Sequence, residues 1–348
     1  MLTQQVILDA LKSVKYPGYS RDIVAFGVVK DVAIDNGNVR VELQLTSQRE
    51  EVARQIQVAC ETVLQPLEGV RQVEVHAHQP KAAPAGDAGS DPWAHQQRIP
   101  GIGHVLAIAS GKGGVGKSTL AVNLAAAMTH LGVRVGLLDC DIYGPSIPLM
   151  MGIHQTPAIN DQEMMVPPMN YGIKLMSIGF LLDGDTPVIW RGPMIFKAIQ
   201  QFLHQVAWAP LDYLLVDLPP GTGDAPLTLC QTVPLDGGLI VTTPQEAALS
   251  VMRKGLAMFT KLNVPIVGLV ENMSYLVTPS GERLDVFGHG GGRQEAARQK
   301  VEFLGEIPLY SEIRIGGDQG VPVVVSAPKA APAQTFIQIA QAIRRKFD

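Results

Sequence analysis

The sequence predicts an α/β protein, a mostly parallel sheet flanked by helices, preceded by a small α+β domain. Three observations predict it. From Gly101 onward, short apolar runs alternate with helical stretches, the pattern of a parallel sheet between layers of helices. Residues 1–78 carry apolar periodicities of their own. Residues 79–100 between them are rich in Pro, Ala, Gly and Gln without apolar period, the composition of a flexible linker. The expected domains are thus 1–78, a linker at 79–100, and 101–348.

In the first domain, Val6, Ile7, Ala10 and Leu11 stand at helical spacing. A strand is expected over Ile23–Val32, a turn at Asp35-Asn36-Gly37-Asn38, and a second strand over Val39–Leu45. A helix with Val52, Ile56, Cys60 and Val63 on one face follows, then a closing strand at Val70–Val75. In the larger domain, buried strands are expected at Val105–Ala109, Val133–Leu138, Ile173–Ile178, Tyr213–Val216, Gly238–Val241 and Pro265–Val270. Helices are expected at Lys117–His130, Met194–Val206 and Glu246–Leu262. Thr335–Phe347 places Phe336, Ile339, Ile343 and Phe347 at helical spacing, and reads as a last helix packed on the sheet rather than a membrane anchor.

A net charge of −4 gives no pull toward nucleic acid or anionic lipid, so neither is expected as a partner. Three cysteines, none at short spacing, argue against a disulfide framework and fit a reducing compartment. No apolar run approaches the ~20 residues that span a bilayer, and the first residues lack a signal-peptide pattern. The expected location is the cytoplasm.

The run Gly111-Lys112-Gly113-Gly114-Val115-Gly116-Lys117-Ser118 satisfies the phosphate-loop spacing, between an apolar strand and a helix. Its glycines let backbone N–H groups converge on phosphate oxygens, and the helix adds the positive end of its dipole. Lys117 supplies charge for the β- and γ-phosphates. The Ser118 hydroxyl suits Mg²⁺, and Thr119 closes the nucleotide-binding run. Lys112, one residue after the first glycine, reads either as a solvated loop lysine or, as the rest of the chain favours, as the signature of the deviant Walker A class, in which this lysine reaches across a dimer to the partner's nucleotide. A cation there neutralises the transferred phosphoryl group as an arginine finger does.

Three carboxylates are expected at the same sheet edge. The strand Leu211–Val216 delivers Asp217 as a Walker B aspartate is delivered to the Mg²⁺ shell, and Leu218-Pro219-Pro220-Gly221-Thr222-Gly223-Asp224 suits a loop that responds to the γ-phosphate. Asp139 and Asp141 end another strand, in Asp139-Cys140-Asp141-Ile142-Tyr143-Gly144-Pro145-Ser146. Asp141 is the candidate for orienting the attacking water, and Asp139 for a metal partner beside Ser118 and Asp217. Asn272 reads equally as a strand-end cap and as an amide hydrogen-bonded to adenine. The guanine-reading pattern is missing, since Thr260-Lys261-Leu262-Asn263 lacks its aspartate.

With Glu271-Asn272-Met273-Ser274-Tyr275 and Phe287-Gly288-His289-Gly290-Gly291-Gly292, these runs resemble the Mrp family of iron–sulfur cluster carrier ATPases, relatives of MinD and ParA. The resemblance covers about Gly101 to Phe347, and residues 1–78 resemble the SufT-type small domain. It implies a homodimer holding two ATP molecules, with Lys112 acting in trans, Asn272 near adenine, and iron–sulfur scaffolds or client apoproteins as partners. It also implies a Cys-x-x-Cys just after Asn-Met-Ser-Tyr, giving four thiolates per dimer for a shared [4Fe–4S] cluster. This chain has Thr278-Pro279-Ser280-Gly281 there, and Ser47-Gln48-Arg49-Glu50 near the place where relatives of the small domain often carry a cysteine.

Cys60 falls on an apolar helix stripe, while Cys140 and Cys230 have no cysteine at ligand spacing. His289 and the His76-Ala77-His78 pair could ligate metal, but isolated histidines of this kind are usually surface residues. The expected function is an ATP-hydrolysing cluster carrier or assembly protein with atypical or partner-supplied ligation. A MinD- or ParA-like nucleotide-switched adaptor is the alternative. Lys117→Ala is expected to abolish nucleotide binding in a titration with ATP, and unchanged affinity would remove the phosphate-loop assignment.

Overall fold

A computed structural model describes the chain apart from residues 1, 16, 18–21, 25–26, 36, 46–49, 79–95, 143, 182–191 and 222. The expected linker at 79–95, the run 47–49, Tyr143 and Thr222 therefore lie outside the described residues. The chain divides into two compact units, Met1–Ser90 and Asp91–Asp348.

The first unit is a three-stranded sheet with two helices on one face. Val29–Asp35 and Asn38–Gln44 form an antiparallel hairpin, the helix Glu50–Leu64 crosses over, and Gln72–His78 returns parallel to the second strand. Alternation along the strands decides the faces. Val39, Val41, Leu43 and Val75 turn inward to meet Ile7, Leu11, Ile56, Cys60 and Leu64, all buried in one cluster. The strand expected over Ile23–Val32 starts later, at Val29. Gly27 adopts φ +74 in a turn closed by its N–H on the Val24 carbonyl, and Ile23 is fully buried beside that turn. Apolar content in that stretch signals burial without extension.

Among the described residues, the second unit is built on a nine-stranded sheet. Across its middle the order is Ile266–Val277, Gly237–Thr242, Ile102–Ser110, Leu211–Asp217, Val135–Asp139 and Ile173–Ser177, all parallel. Phe303–Leu309 adds a parallel strand beside Ile266–Val277, and the short Met169–Asn170 and Arg283–Leu284 pair antiparallel. The inner strands are apolar along nearly their whole length because helices cover both faces. Parallel pairing brings their carboxyl ends to one edge, where the register sets Asp217 beside Asp139 and Asp139 beside Ser177.

Gln96–Pro100, which composition assigns to the linker, is fastened to this unit. The Gln97 N–H donates to the Thr232 carbonyl at 3.1 Å, Arg98 pairs with Asp236 at 3.1 Å, and Ile99 is buried in the main core. The helix Lys117–His130 is buried nearly all round, with Leu120, Ala121, Leu124 and Ala125 inside, as a helix between a sheet and further helices must be. The last helix, Ala331–Arg344, buries Phe336, Ile339 and Ile343 in the same core. Phe336→Ala is therefore expected to cost about 3–5 kcal/mol of unfolding free energy in urea. A helix free to leave the sheet for a membrane would lose almost nothing.

Candidate functional site

The strand Ile102–Ser110 ends in the phosphate loop, and the helix after it begins at Lys117 with no side-chain cap. Its first N–H groups are therefore left to whatever the loop encloses. Gly116 closes the loop at φ +82, and a Cβ there would stand 2.1 Å from Asn272 Nδ2, so glycine is required twice over. That amide donates to the Val115 carbonyl at 2.8 Å and ties the loop to the middle of the strand Ile266–Val277, so Asn272 does not cap a strand end. From the other side, Ser110 Oγ donates to the Lys112 carbonyl at 3.1 Å, and Gly221 N–H donates to the Ser110 carbonyl at 2.9 Å. The expected switch segment is thus hydrogen-bonded to the loop strand. Lys112 itself is exposed.

Beneath the loop, four side chains share one charge centre. Lys117 Nζ lies 2.7 Å from Asp217 Oδ2, 3.7 Å from Asp141 Oδ2 and 3.2 Å from Ser118 Oγ. Ser118 Oγ donates to Asp217 Oδ2 at 2.6 Å. Lys117 is 5% exposed and Asp217 fully buried. Burial pushes the Asp217 carboxyl above its ordinary range, and the adjacent ammonium and the Ser118 hydroxyl work against that rise. Asp139 is also fully buried. Burial first, and the charge of Asp217 second, push it up to about 7.

Both oxygens of Asp139 are engaged. Oδ2 accepts from Ser177 Oγ at 2.9 Å, and Oδ1 accepts from the Asp141 N–H at 3.0 Å. Asp139 thereby fixes the backbone from which Asp141, 16% exposed, faces outward. Asp217 Oδ1 has no protein partner among the described residues although it is buried. An orphaned carboxylate oxygen beside a hydroxyl, at the mouth of a phosphate loop, is the donor set a hard cation such as Mg²⁺ takes.

Next to the loop is a cavity of about 270 Å³, bounded by Gly116, Thr119, Asn272, Met273, Tyr310 and Ile313. Its apolar walls suit a flat base. Tyr310 follows the strand Phe303–Leu309 as the cap position of the helix Ser311–Gln319, which carries Ile313, and neither element was expected from the sequence. The strand interrupts its apolar run with Gly305 and Glu306, and the helix carries Gly316 and Gly317, so the periodic signals are weak. Ser177 was missed as well, since nothing marks a strand-end serine until the register is known.

At the place of the expected thiols, Thr278–Glu282 is a closed polar turn. Thr278 N–H donates to the Glu282 carbonyl at 2.9 Å, Glu282 N–H donates back to Thr278 Oγ1 at 3.1 Å, and Thr278 Oγ1 meets Ser280 Oγ at 2.8 Å. Cys60, Cys140 and Cys230 are each buried. Burial pushes the Cys60 and Cys230 thiols up to about 12 and the Cys140 thiol well above its usual value. Among the described residues no helix is long and apolar enough to cross a membrane.

A parallel sheet carrying a phosphate loop, a buried lysine–aspartate pair and a lysine after the first loop glycine defines a nucleotide-binding P-loop NTPase of the MinD/ParA type. Comparison with known proteins agrees and goes further. The profile of the family described as NUBPL iron-transfer P-loop NTPase matches residues 101–344, and that of an iron-sulfur cluster assembly protein family matches residues 4–76. The chain belongs to this iron-transfer P-loop NTPase family.

It is 45% identical to an iron-sulfur cluster carrier protein of Synechocystis, over 99% of this chain and 98% of that one. It is 46% identical to the iron-sulfur cluster transfer protein NUBPL of Dictyostelium discoideum, over 76% and 82%. Among solved structures, a nucleotide-binding protein of Archaeoglobus fulgidus in complex with ADP aligns with TM-score 0.58 and 43% identity, over 64% of this chain and 88% of that one. The cell division ATPase MinD of Pyrococcus furiosus aligns at TM-score 0.54 and 22% identity, a likeness of fold alone.

Asn272→Ala leaves the Val115 carbonyl without its buried donor. It is expected to cost about 1–3 kcal/mol of unfolding free energy, measured in urea without nucleotide. No change would mean that the amide serves a ligand and not the loop.

Proposed function

We propose that this chain hydrolyses ATP as a homodimer and uses the cycle to pass iron–sulfur clusters to client apoproteins, with the cluster's thiolates supplied by scaffold or client. The observation that carries the nucleotide half is the contact of Lys117, Ser118 and Asp217 under an uncapped loop, with Asp141 3.7 Å from the same ammonium. The cargo half rests on the family and on the names of relatives 45% and 46% identical.

In this reading the N–H groups of Gly113–Ser118 wrap the phosphates, and Lys117 turns part of its charge from Asp217 to the β- and γ-oxygens. Ser118 and Asp217, with Asp139 behind them, would hold a Mg²⁺ ion, which would supply further positive charge against the phosphates. Asp141, partly exposed and held through its backbone by Asp139, orients the water that attacks the γ-phosphorus. Asn272, Met273 and Tyr310 border the adenine. Lys112 supplies its charge to the nucleotide of a second copy; its exposed side chain on a loop anchored through its own carbonyl supports that reach.

The polar turn at Thr278–Ser280 and the three buried cysteines support partner-supplied ligation, because thiols held protonated in a core are poor metal ligands. A MinD-like adaptor without cargo is not favoured, since that likeness stays at 22% identity.

Lys112→Ala is expected to keep ATP affinity while lowering steady-state hydrolysis by roughly 10³-fold, the lower end for an arginine finger; equal hydrolysis would reduce Lys112 to a loop lysine. Asp141→Ala is expected to trap an ATP-bound dimer on size-exclusion chromatography, and native turnover in that variant would refute water positioning. After anaerobic reconstitution with iron and sulfide, the desalted chain is expected to be colourless. Near four irons per dimer with a cluster spectrum would instead place the ligands on this chain.

A further inference from the structure

The first unit carries a group of side chains that the nucleotide chemistry leaves unused. Its sheet packs helices against one face, where Val39, Val41, Leu43 and Val75 are buried, and the residues between them point away from that core. Two registers decide which of them meet. Asp31 pairs with Glu42 across the antiparallel strands, and Glu42 pairs with His76 across the parallel ones. Directly paired residues share a face, so two carboxylates and an imidazole form one row over three strands. His78 lies two residues beyond His76, on the same face, and its Nε2 meets Glu42 Oε2 at 2.6 Å.

We propose that this open face binds one divalent transition cation of the Fe²⁺, Co²⁺ or Zn²⁺ class through His76, His78 and Glu42, with Asp31 as a further oxygen donor. Two imidazoles and a carboxylate suit such ions, whereas Mg²⁺ and Ca²⁺ take oxygen alone. Alternate residues of one strand approach an ion from the same side, and Glu42 approaches from the next strand. Two metal–ligand bonds of about 2.0–2.1 Å at a tetrahedral angle hold their donor atoms about 3.3 Å apart. The His78–Glu42 pair, now 2.6 Å apart, therefore opens by less than ~1 Å to take the ion.

His76 has further to travel. Its Nε2 stands 3.8 Å from Glu74 Oε2, and no three His, Cys, Asp or Glu side chains of the described residues converge as they now lie. The His76 side chain is 49% exposed, so one rotamer change in solvent turns it toward Glu42, its register partner. Glu74 is held aside by Arg40 at 3.5 Å. Asp31, Glu42 and Glu74 against Arg40 leave this face with excess negative charge, which attracts a cation. The site stands independently of the ATPase reading.

The test is titration of the full chain with Co²⁺, in saturating Mg²⁺ and ADP, read by visible absorption and by the metal retained after desalting. The wild type is expected to bind one Co²⁺ per chain more than His76→Ala/His78→Ala, and Glu42→Gln to bind it at least tenfold more weakly. The ion should raise the melting temperature of the wild type and leave that of the double variant unchanged. In EDTA all three proteins should melt together, because the substituted residues face away from the core. Equal stoichiometry and spectra in wild type and double variant would overturn the site, as would a sulfur charge-transfer band marking thiolate as the ligand.

Discussion

One buried cation organises the nucleotide edge. Parallel register sets Asp217 and Asp139 side by side at the ends of neighbouring strands, both fully buried. Two such carboxylates with no counter-charge would be driven toward their neutral forms, and the fold would lose the charge that a hard cation needs. Lys117 resolves this from the first turn of its helix, with its ammonium 2.7 Å from Asp217 and 3.7 Å from Asp141. Because the same residue opens the helix and closes the phosphate loop, charge balance and loop geometry are set by one side chain.

The ties around that centre run to several strands of the sheet. Asn272 reaches from Ile266–Val277 to Val115, Ser110 braces Lys112 and receives Gly221, and Ser177 holds Asp139, which holds Asp141. A γ-phosphate that draws Lys117 would therefore be felt at Asp217, at the loop from Leu218 onward, and at Asp141. These are single hydrogen bonds of about 1–3 kcal/mol each, within reach of one ligand's binding energy.

Much of this was legible in the sequence, for identifiable reasons. The phosphate loop, the parallel α/β core and the aspartates after two strands announce themselves because spacing and strand-end position are local properties of the chain. Asn272 was readable as a residue of interest, but its bond to Val115 spans 157 positions and belongs to topology. Ser177 and the wall made by Tyr310 and Ile313 were invisible for the same reason. In the first unit, alternation gave the faces of Asn38–Gln44 correctly. His76 and His78 read as scattered surface residues until the parallel register set Glu42 beside them. Gly27, by contrast, interrupts the expected strand Ile23–Val32, where Ile23 and Val28 are buried without being extended.

The turn at Thr278–Ser280 has a practical meaning for handling the protein. Hydroxyls satisfied by their own turn offer nothing to peroxide, iodoacetamide or a stray disulfide, and the three sulfhydryls elsewhere are enclosed in apolar packing with their thiolate forms suppressed. While it stays folded, the chain shields its three thiols from alkylating reagents, and its exposed methionines among the described residues, Met169 and Met194, are the sulfur atoms open to an oxidant.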